Sequence, residues 1–262
     1  MRLSPTLSAC ALAALLVLAG CDAAPAPPDD ARPDVIAPAA FELDLDLAAA
    51  AAATAGANHT NASLRVGIVS AIIGLNLVLP SAATHAATRT EPVVEDGVWV
   101  WESTFPIDGD DVTFRLEGAP AGRTVDWRLD ITNRELDAFT LYTARTDLDG
   151  ETGDWQLFHE ERGERVEVLR ADFAVTAGDA RELVFSVPDG RDSGGSSVRY
   201  EADGDARAFD WREEPEGLDH LVEWDQATGA GSITADNYNG GVRACWDASL
   251  ADAPCAETVA AR

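Results

Sequence analysis

The strongest constraint on the fold is a run of residues whose hydrophobicity alternates at every second position. From Val125 to Thr132 apolar and polar side chains alternate without interruption. The same alternation recurs at Val112, Phe114 and Leu116. Because successive side chains of a β-strand point to opposite faces of its sheet, such runs predict strands with one buried and one solvated face.

Turn signals separate runs of this kind from residue 96 onward. Asp-Gly or Asn-Gly pairs, which favour tight hairpin turns, begin at positions 108, 149, 189, 203 and 239. The sequence therefore predicts a mainly β fold, a large antiparallel meander sheet that is curved or forms a half-barrel, with one or two N-terminal helices packed on it. We expect about eleven or twelve strands, centred near Val98, Thr113, Trp127, Leu141, Trp155, Val168, Val184, Arg199, Phe209, Val222, Ile233 and Ala244.

Tryptophan recurs at an interval of 28 residues. Trp99, Trp127, Trp155 and Trp211 follow this spacing, and Leu183 occupies the one intervening position that lacks Trp. Two strands of about nine residues and two turns of about five account for the interval, so each unit would be one hairpin. The large side chains would then lie on alternate strands and point to one face. Chance spacing is the alternative, since the chain has only seven Trp.

Two helical stretches are expected before the sheet. The first, Phe41 to Ala55, contains a run of six Ala, the residue with the highest helix propensity. The second, 64–79, is mostly aliphatic; Asn61 or Ser63 would cap its start and Pro80 would end it. A helix that is hydrophobic all round is typical of a core element packed on a sheet. The functional alternative makes it the lining of a cavity for lipid.

The first 21 residues have the anatomy of a secretory leader. Arg2 precedes an eleven-residue apolar run, Ala9 to Ala19, and Leu18-Ala19-Gly20-Cys21 closes the segment. These four residues resemble the lipobox of bacterial lipoproteins. The resemblance implies that residues 1–20 are a signal peptide that is removed and that Cys21 carries lipid at the new N-terminus. An ordinary secretory leader with a chance Cys at position 21 is the alternative.

The same resemblance implies a location. Lipid on Cys21 would anchor the protein to a membrane of the bacterial cell envelope, facing the periplasm or the cell surface, because two or more acyl chains give stable anchoring. The rest of 21–40 is rich in Pro, Ala and Asp and is expected to be a tether. A helical segment at 41–90 and an antiparallel β domain at 91–262 follow.

The charge of the chain limits its partners. The sequence has 46 acidic and 19 basic residues, a net charge of −27, and every basic residue is Arg. A nucleic-acid partner is excluded, because phosphate binding requires clustered Lys and Arg. The absence of Lys excludes Schiff-base chemistry and a lysine-bearing phosphate loop. We interpret the acidity as a source of solubility and of repulsion from anionic headgroups.

Two cysteines remain once the leader is removed and Cys21 is lipidated. Cys245 and Cys255 lie ten positions apart, with Pro254 between them, in a chain expected to enter an oxidising compartment. We therefore predict a disulfide between them, with a stabilising effect of about 2 to 3 kcal/mol in the chain-entropy model. A metal site is the alternative, but no Cys-x-x-Cys or neighbouring His supports it.

One acidic loop resembles the start of a calcium loop. Asp147, Asp149 and Glu151 alternate around a Gly. The sixth position, where Gly is required, holds Thr152, and the twelfth, where a bidentate Glu is required, holds Phe158. A hairpin turn is therefore the favoured interpretation, and the three carboxylates are only weak candidates for a metal site.

Recognisable catalytic motifs are lacking elsewhere. The four His have no metal-ligand spacing, no Gly-x-Ser-x-Gly elbow occurs, and the many carboxylates single out no catalytic pair. We therefore expect a non-enzymatic envelope lipoprotein without a cofactor, with a structural or interaction role and no identifiable protein partner.

The expected architecture also supports a second hypothesis. A curved sheet with an apolar helix against its concave face resembles the half-barrels of lipid-carrying lipoproteins. That resemblance, which is one of architecture and not of motif, implies a carrier of an apolar ligand in a cavity between the sheet and helix 64–79. The tail from Cys245 to Cys255 is also similar to the endings of uncharacterised envelope lipoproteins, which implies no activity.

Overall fold

A computed structural model describes Leu47, residues 55–176 and residues 180–255 of the 262-residue chain. The predicted signal peptide 1–20, Cys21 and the tether lie outside the described residues. So does the predicted helix at 41–55, apart from Leu47 and Ala55.

Fourteen antiparallel strands in the described part of the chain form an open meander sheet, in which each strand pairs with the next in sequence. The predicted fold class is therefore confirmed, and each of the twelve predicted centres lies in a strand of its own. The bounds are β1 (Val93–Glu95), β2 (Val98–Ile107), β3 (Asp110–Ala121), β4 (Thr124–Thr132), β5 (Phe139–Asp147), β6 (Thr152–Glu161), β7 (Glu164–Thr176), β8 (Ala180–Ser186), β9 (Ser197–Asp203), β10 (Ala206–Glu213), β11 (Leu218–Asp225), β12 (Gly231–Ala235), β13 (Ala244–Trp246) and β14 (Asp252–Ala253).

The turn between β2 and β3 shows why the Asp-Gly pairs mark hairpins. Asp108 and Gly109 have φ values of 52° and 88°. A two-residue turn with both central residues in this region matches the right-handed twist of the flanking strands, and Asp and Gly tolerate the left-handed region better than most residues.

A row of paired residues crosses the sheet and alternates large with small side chains. Trp99, Trp127, Trp155 and Trp211 lie on this row, one each on β2, β4, β6 and β10, as the hairpin unit predicts. The assignment of Leu183 is wrong, because on β8 the row passes through Phe185. From β2 to β12 the row reads Trp99, Gly118, Trp127, Ala144, Trp155, Ala171, Phe185, Val198, Trp211, His220 and Ala235.

The small residues of this row make room for the large ones. A Cβ atom on Gly118 would lie 2.8 Å from the ring of Trp127, closer than van der Waals contact allows. The four tryptophans of the row are all buried. Large side chains on every strand would overfill the same layer, so the alternation is a packing requirement of this sheet.

Helix α1 spans Ala57–Ala87, so the predicted helix 64–79 is too short at both ends. Pro80 lies inside the helix and does not end it. Proline removes one backbone donor from a helix, but Ala83, Thr84 and Ala87, which follow it, are buried. The Thr84 hydroxyl donates to the Pro80 carbonyl at 2.8 Å and lies 2.9 Å from the Tyr142 hydroxyl of β5. Tertiary contacts therefore extend the helix beyond its local stop signal.

The start of α1 is fixed by residues from the far end of the chain. The N-cap is Gly56, not Asn61 or Ser63, and it has no side chain with which to cap. Instead, the amide of Asn58 donates to Asp252 Oδ1 of β14 at 2.9 Å. A Cβ atom on residue 56 would overlap that carboxylate, which explains the Gly.

The C-terminal strands that hold this cap are joined covalently. Cys245 of β13 and Cys255, which follows β14, form the predicted disulfide, with their Cα atoms 5.1 Å apart. The Cys245 carbonyl also accepts a hydrogen bond from Asn58 Nδ2 at 2.8 Å. The disulfide therefore ties both strands to the first turn of α1.

The helix spans the sheet from one flank to the other. Its first turns pack on β12 to β14 and its last turns on β2 to β5. Both flanks of the sheet reach the same helix because the sheet is curved. By length and hydropathy alone α1 could cross a membrane, but one face of it, including Val66 and Leu77, is buried in the core. Full burial of such a side chain contributes about 1.5 to 3 kcal/mol.

Candidate functional site

A cleft of about 880 Å³ separates the middle of α1 from the central strands β6 to β10. It exists because the helix packs mainly on the two flanks of the curved sheet, so that the concave surface between them is only partly filled. Its volume lies in the range of small-molecule binding pockets. The predicted cavity between sheet and helix corresponds to this cleft.

The wall and the floor of the cleft are mainly apolar, although Asn76 of α1 and serines such as Ser186 and Ser197 also line it. The wall carries Ile68 and Ile72 of α1, whose exposed fractions are 53% and 56%. The floor includes Phe185, Val198 and Trp211, which are neighbours in the large-and-small row. The helix wall therefore leaves aliphatic surface in contact with water, and an apolar ligand would cover it.

The rim of the cleft is charged. Arg191, in the loop between β8 and β9, donates to Glu161 Oε1 at 2.5 Å. That hydrogen bond holds the pKa of Glu161 below its ordinary value, and the charges of His159 and Arg162 act in the same direction. Among the described residues, no ion pair involves Arg162, which lies in the turn between β6 and β7. The group around Glu161 therefore contains one guanidinium, that of Arg162, with no ion pair in the described part of the chain.

The other cation of the rim is already neutralised. Arg212 of β10 pairs with Glu214 at 2.8 Å and with Asp219 at 2.9 Å. Two further carboxylates, those of Asp192 and Glu213, also line the cleft. The rim thus carries charges of both signs, and within the described ranges Arg162 is its guanidinium without an ion pair.

A buried histidine lies beside the floor. The ring of His220 stacks on that of Trp211, with centroids 4.5 Å apart and planes inclined by 11°. Burial lowers the pKa of His220, which favours the neutral ring. Glu213 Oε1 lies 3.5 Å from His220 Nε2 and accepts a hydrogen bond from Trp211 Nε1 at 3.2 Å. This arrangement stiffens the floor.

The acidic loop at Asp147, Asp149 and Glu151 forms the predicted hairpin turn. It joins β5 to β6, and both carboxylate oxygens of Asp147 accept hydrogen bonds from within the turn. Their donors are the amide of Glu151 at 2.8 Å and the amide and hydroxyl of Thr152 at 3.2 and 3.0 Å. Asp149 and Glu151 do not join a metal cluster: residues 55–176 and 180–255 contain no group of three or more side chains placed to hold an ion.

Most of the cleft residues were missed by the sequence analysis. Trp211 belongs to the recurring tryptophans, but nothing in its spacing indicates a ligand. Arg162 and Arg191 lie in two connections that only the curved sheet brings together. The chain matches no protein-family model, no curated protein and no solved structure.

Proposed function

We propose that this protein is a non-enzymatic, lipid-anchored protein of the bacterial envelope that binds an elongated apolar ligand between α1 and strands β6 to β10. The observation that carries the proposal is the cleft of about 880 Å³, in which an exposed aliphatic helix wall faces an apolar floor. The proposal favours the carrier hypothesis over a purely structural role.

The driving force is the removal of aliphatic surface from water. Each methylene that is buried contributes about 0.8 kcal/mol. A chain of about ten methylenes therefore supplies about 8 kcal/mol, which is comparable with the cost of about 4 to 15 kcal/mol for lost translational and rotational freedom. The ligand also covers Ile68 and Ile72, and this second apolar surface adds to the gain.

A pair of helix variants tests the proposal. Ile72 and Leu75 are both exposed aliphatic residues of α1, but only Ile72 lines the cleft. We expect the full chain and Leu75→Glu to bind the neutral probe N-phenyl-1-naphthylamine with the same affinity, and Ile72→Glu to bind it at least about tenfold more weakly, because an ionised carboxylate resists transfer from water. Absence of binding by the wild type, or equal binding by all three proteins, would contradict the proposal.

The anchor is tested separately. We expect cells to incorporate labelled palmitate into the wild-type protein and not into a Cys21→Ala variant. Equal labelling of both proteins, or of neither, would refute lipid attachment at position 21. The result does not depend on the cleft.

A second candidate function is docking of a protein partner on the outer side of α1. Leu64, Leu75 and Val78 are exposed there, with Leu75 at 76%. Contiguous exposed apolar side chains often mark interaction sites. A photo-crosslinking residue at position 75 should capture a defined protein in the envelope, whereas one at the exposed Leu148, in the turn between β5 and β6, should not. No adduct at position 75 would contradict this function.

A further inference from the structure

We infer that the cleft binds a single-chain fatty acid, with its carboxylate held by Arg162 and Arg191 and its hydrocarbon chain along α1. The inference rests on the proposed function and adds the chemical class of the ligand.

Three elements bring His159 and the two Arg side chains together. His159 lies on β6, Arg162 lies in the turn after β6, and Arg191 comes from the loop between β8 and β9. All three line the cleft. Arg191 reaches across to Glu161 at 2.5 Å, which places the loop and the turn side by side. Glu161 is therefore the carboxylate that joins the loop to the turn.

The electrostatics at that point favour an anionic oxygen. Although the chain carries a net charge of −27, the Arg191 hydrogen bond and the charges of His159 and Arg162 lower the pKa of Glu161. Arg162 has no ion pair within the described ranges. A ligand carboxylate can therefore bind Arg162 directly and compete with Glu161 for Arg191, since guanidinium groups bind carboxylates in a fork geometry.

The apolar part of the cleft defines the rest of the ligand. Ile68, Ile72 and Val168 line it together with the aromatic floor. A volume of about 880 Å³ corresponds to one drug-sized molecule. This size favours one acyl chain over a lipid with two. A cationic headgroup would meet the Arg side chains and be repelled.

Titration of the full-length chain with dodecyl ligands tests the inference. We expect laurate to bind more tightly than dodecanol or dodecyl phosphate, and dodecyltrimethylammonium to bind weakest. Arg162→Gln and Arg191→Gln should each weaken laurate binding by about tenfold, the loss expected for one charge-assisted hydrogen bond. Glu161→Gln should tighten it by releasing Arg191. Dodecanol affinity should stay unchanged in all three variants, which shows that the cleft is intact.

The matched control is Arg145→Gln. Arg145 is exposed and pairs with Asp126 outside the cleft, so this variant makes the same change in net charge without touching the rim. It should bind laurate as the wild type does. If laurate and dodecanol bind equally well, if dodecyl phosphate binds more tightly than laurate, or if Glu161→Gln weakens laurate binding, the inference is overturned while the proposed function stands. If neither laurate nor dodecanol binds, the proposed function fails as well.

Discussion

Replacement of Asp252 tests whether helix α1 is capped from the other end of the chain. Its carboxylate accepts from the amide of Asn58, a residue 194 positions away, at a helix start whose own N-cap is Gly56. Loss of a capping side chain typically costs about 1 kcal/mol. Loss of a negative charge at a helix N-terminus adds about 0.3 to 1 kcal/mol.

Asp252→Ala should therefore lower the free energy of unfolding by about 1 to 2 kcal/mol. For a chain of this size that corresponds to a decrease in Tm of about 2 to 8 °C. Asp252→Asn keeps an acceptor and loses only the charge, so it should cause less than half of this decrease. Urea denaturation followed by circular dichroism measures the effect. Asp149→Ala, which removes an exposed carboxylate in the turn between β5 and β6, controls for net charge.

Removal of the disulfide provides a second test of the same helix start. Its short loop is worth about 2 to 3 kcal/mol in the chain-entropy model, so Cys245→Ser with Cys255→Ser should destabilise by that amount. Strand β14 has only two residues, and the disulfide holds it beside β13. Without the disulfide, Asp252→Ala should cost less, giving a coupling energy of at least about 0.5 kcal/mol. An unchanged midpoint in Asp252→Ala, or strictly additive costs, would refute this account of the helix start.

Three other predictions concern the core. Tyr142→Phe removes the buried hydroxyl bonded to Thr84 and should lower the free energy of unfolding by about 0.5 to 1.5 kcal/mol in urea denaturation; no loss would contradict a role for this bond. Gly118→Ala should lower the free energy of unfolding by about 1 to 3 kcal/mol, because the added methyl group collides with Trp127. A Tm equal to that of the wild type would contradict tight packing at this position. Burial lowers the pKa of His220 below its ordinary value of 6.5, so the unfolded chain takes up the proton first as the pH falls, and stability should decline below about pH 6.5. The decline should be smaller in the His220→Phe variant. Equal pH profiles of Tm for this variant and the wild type would contradict the attribution of the decline to His220.

The strands could be predicted because the signals that specify them are local. The alternation from Val125 to Thr132 is confirmed in β4, and the Asp-Gly pair at position 108 is confirmed as a hairpin turn. The edge strands β1 and β14, of three and two residues, were missed. Leu183 was misassigned because strand lengths vary between hairpins.

The ends of the helix could not be predicted for the opposite reason. Pro80 is a stop signal in isolation, and Gly56, directly before Ala57, has no side chain with which to cap. The helix continues past Pro80 because the Thr84 hydroxyl and the Tyr142 hydroxyl meet in the core. It begins at Ala57 because the carboxylate of Asp252, on β14, accepts a hydrogen bond from the amide of Asn58 in its first turn.

Local patterning was thus sufficient for the class of fold, for the order of the strands and for the Cys245–Cys255 pair, since alternation, turn residues and short loop closure act between neighbours in the chain. The cleft and its cationic rim depend on the curvature of the sheet and on where α1 crosses it. Curvature sums small twists over fourteen strands, and it brings Arg162, Arg191 and Ile72 to one place although no local pattern relates them.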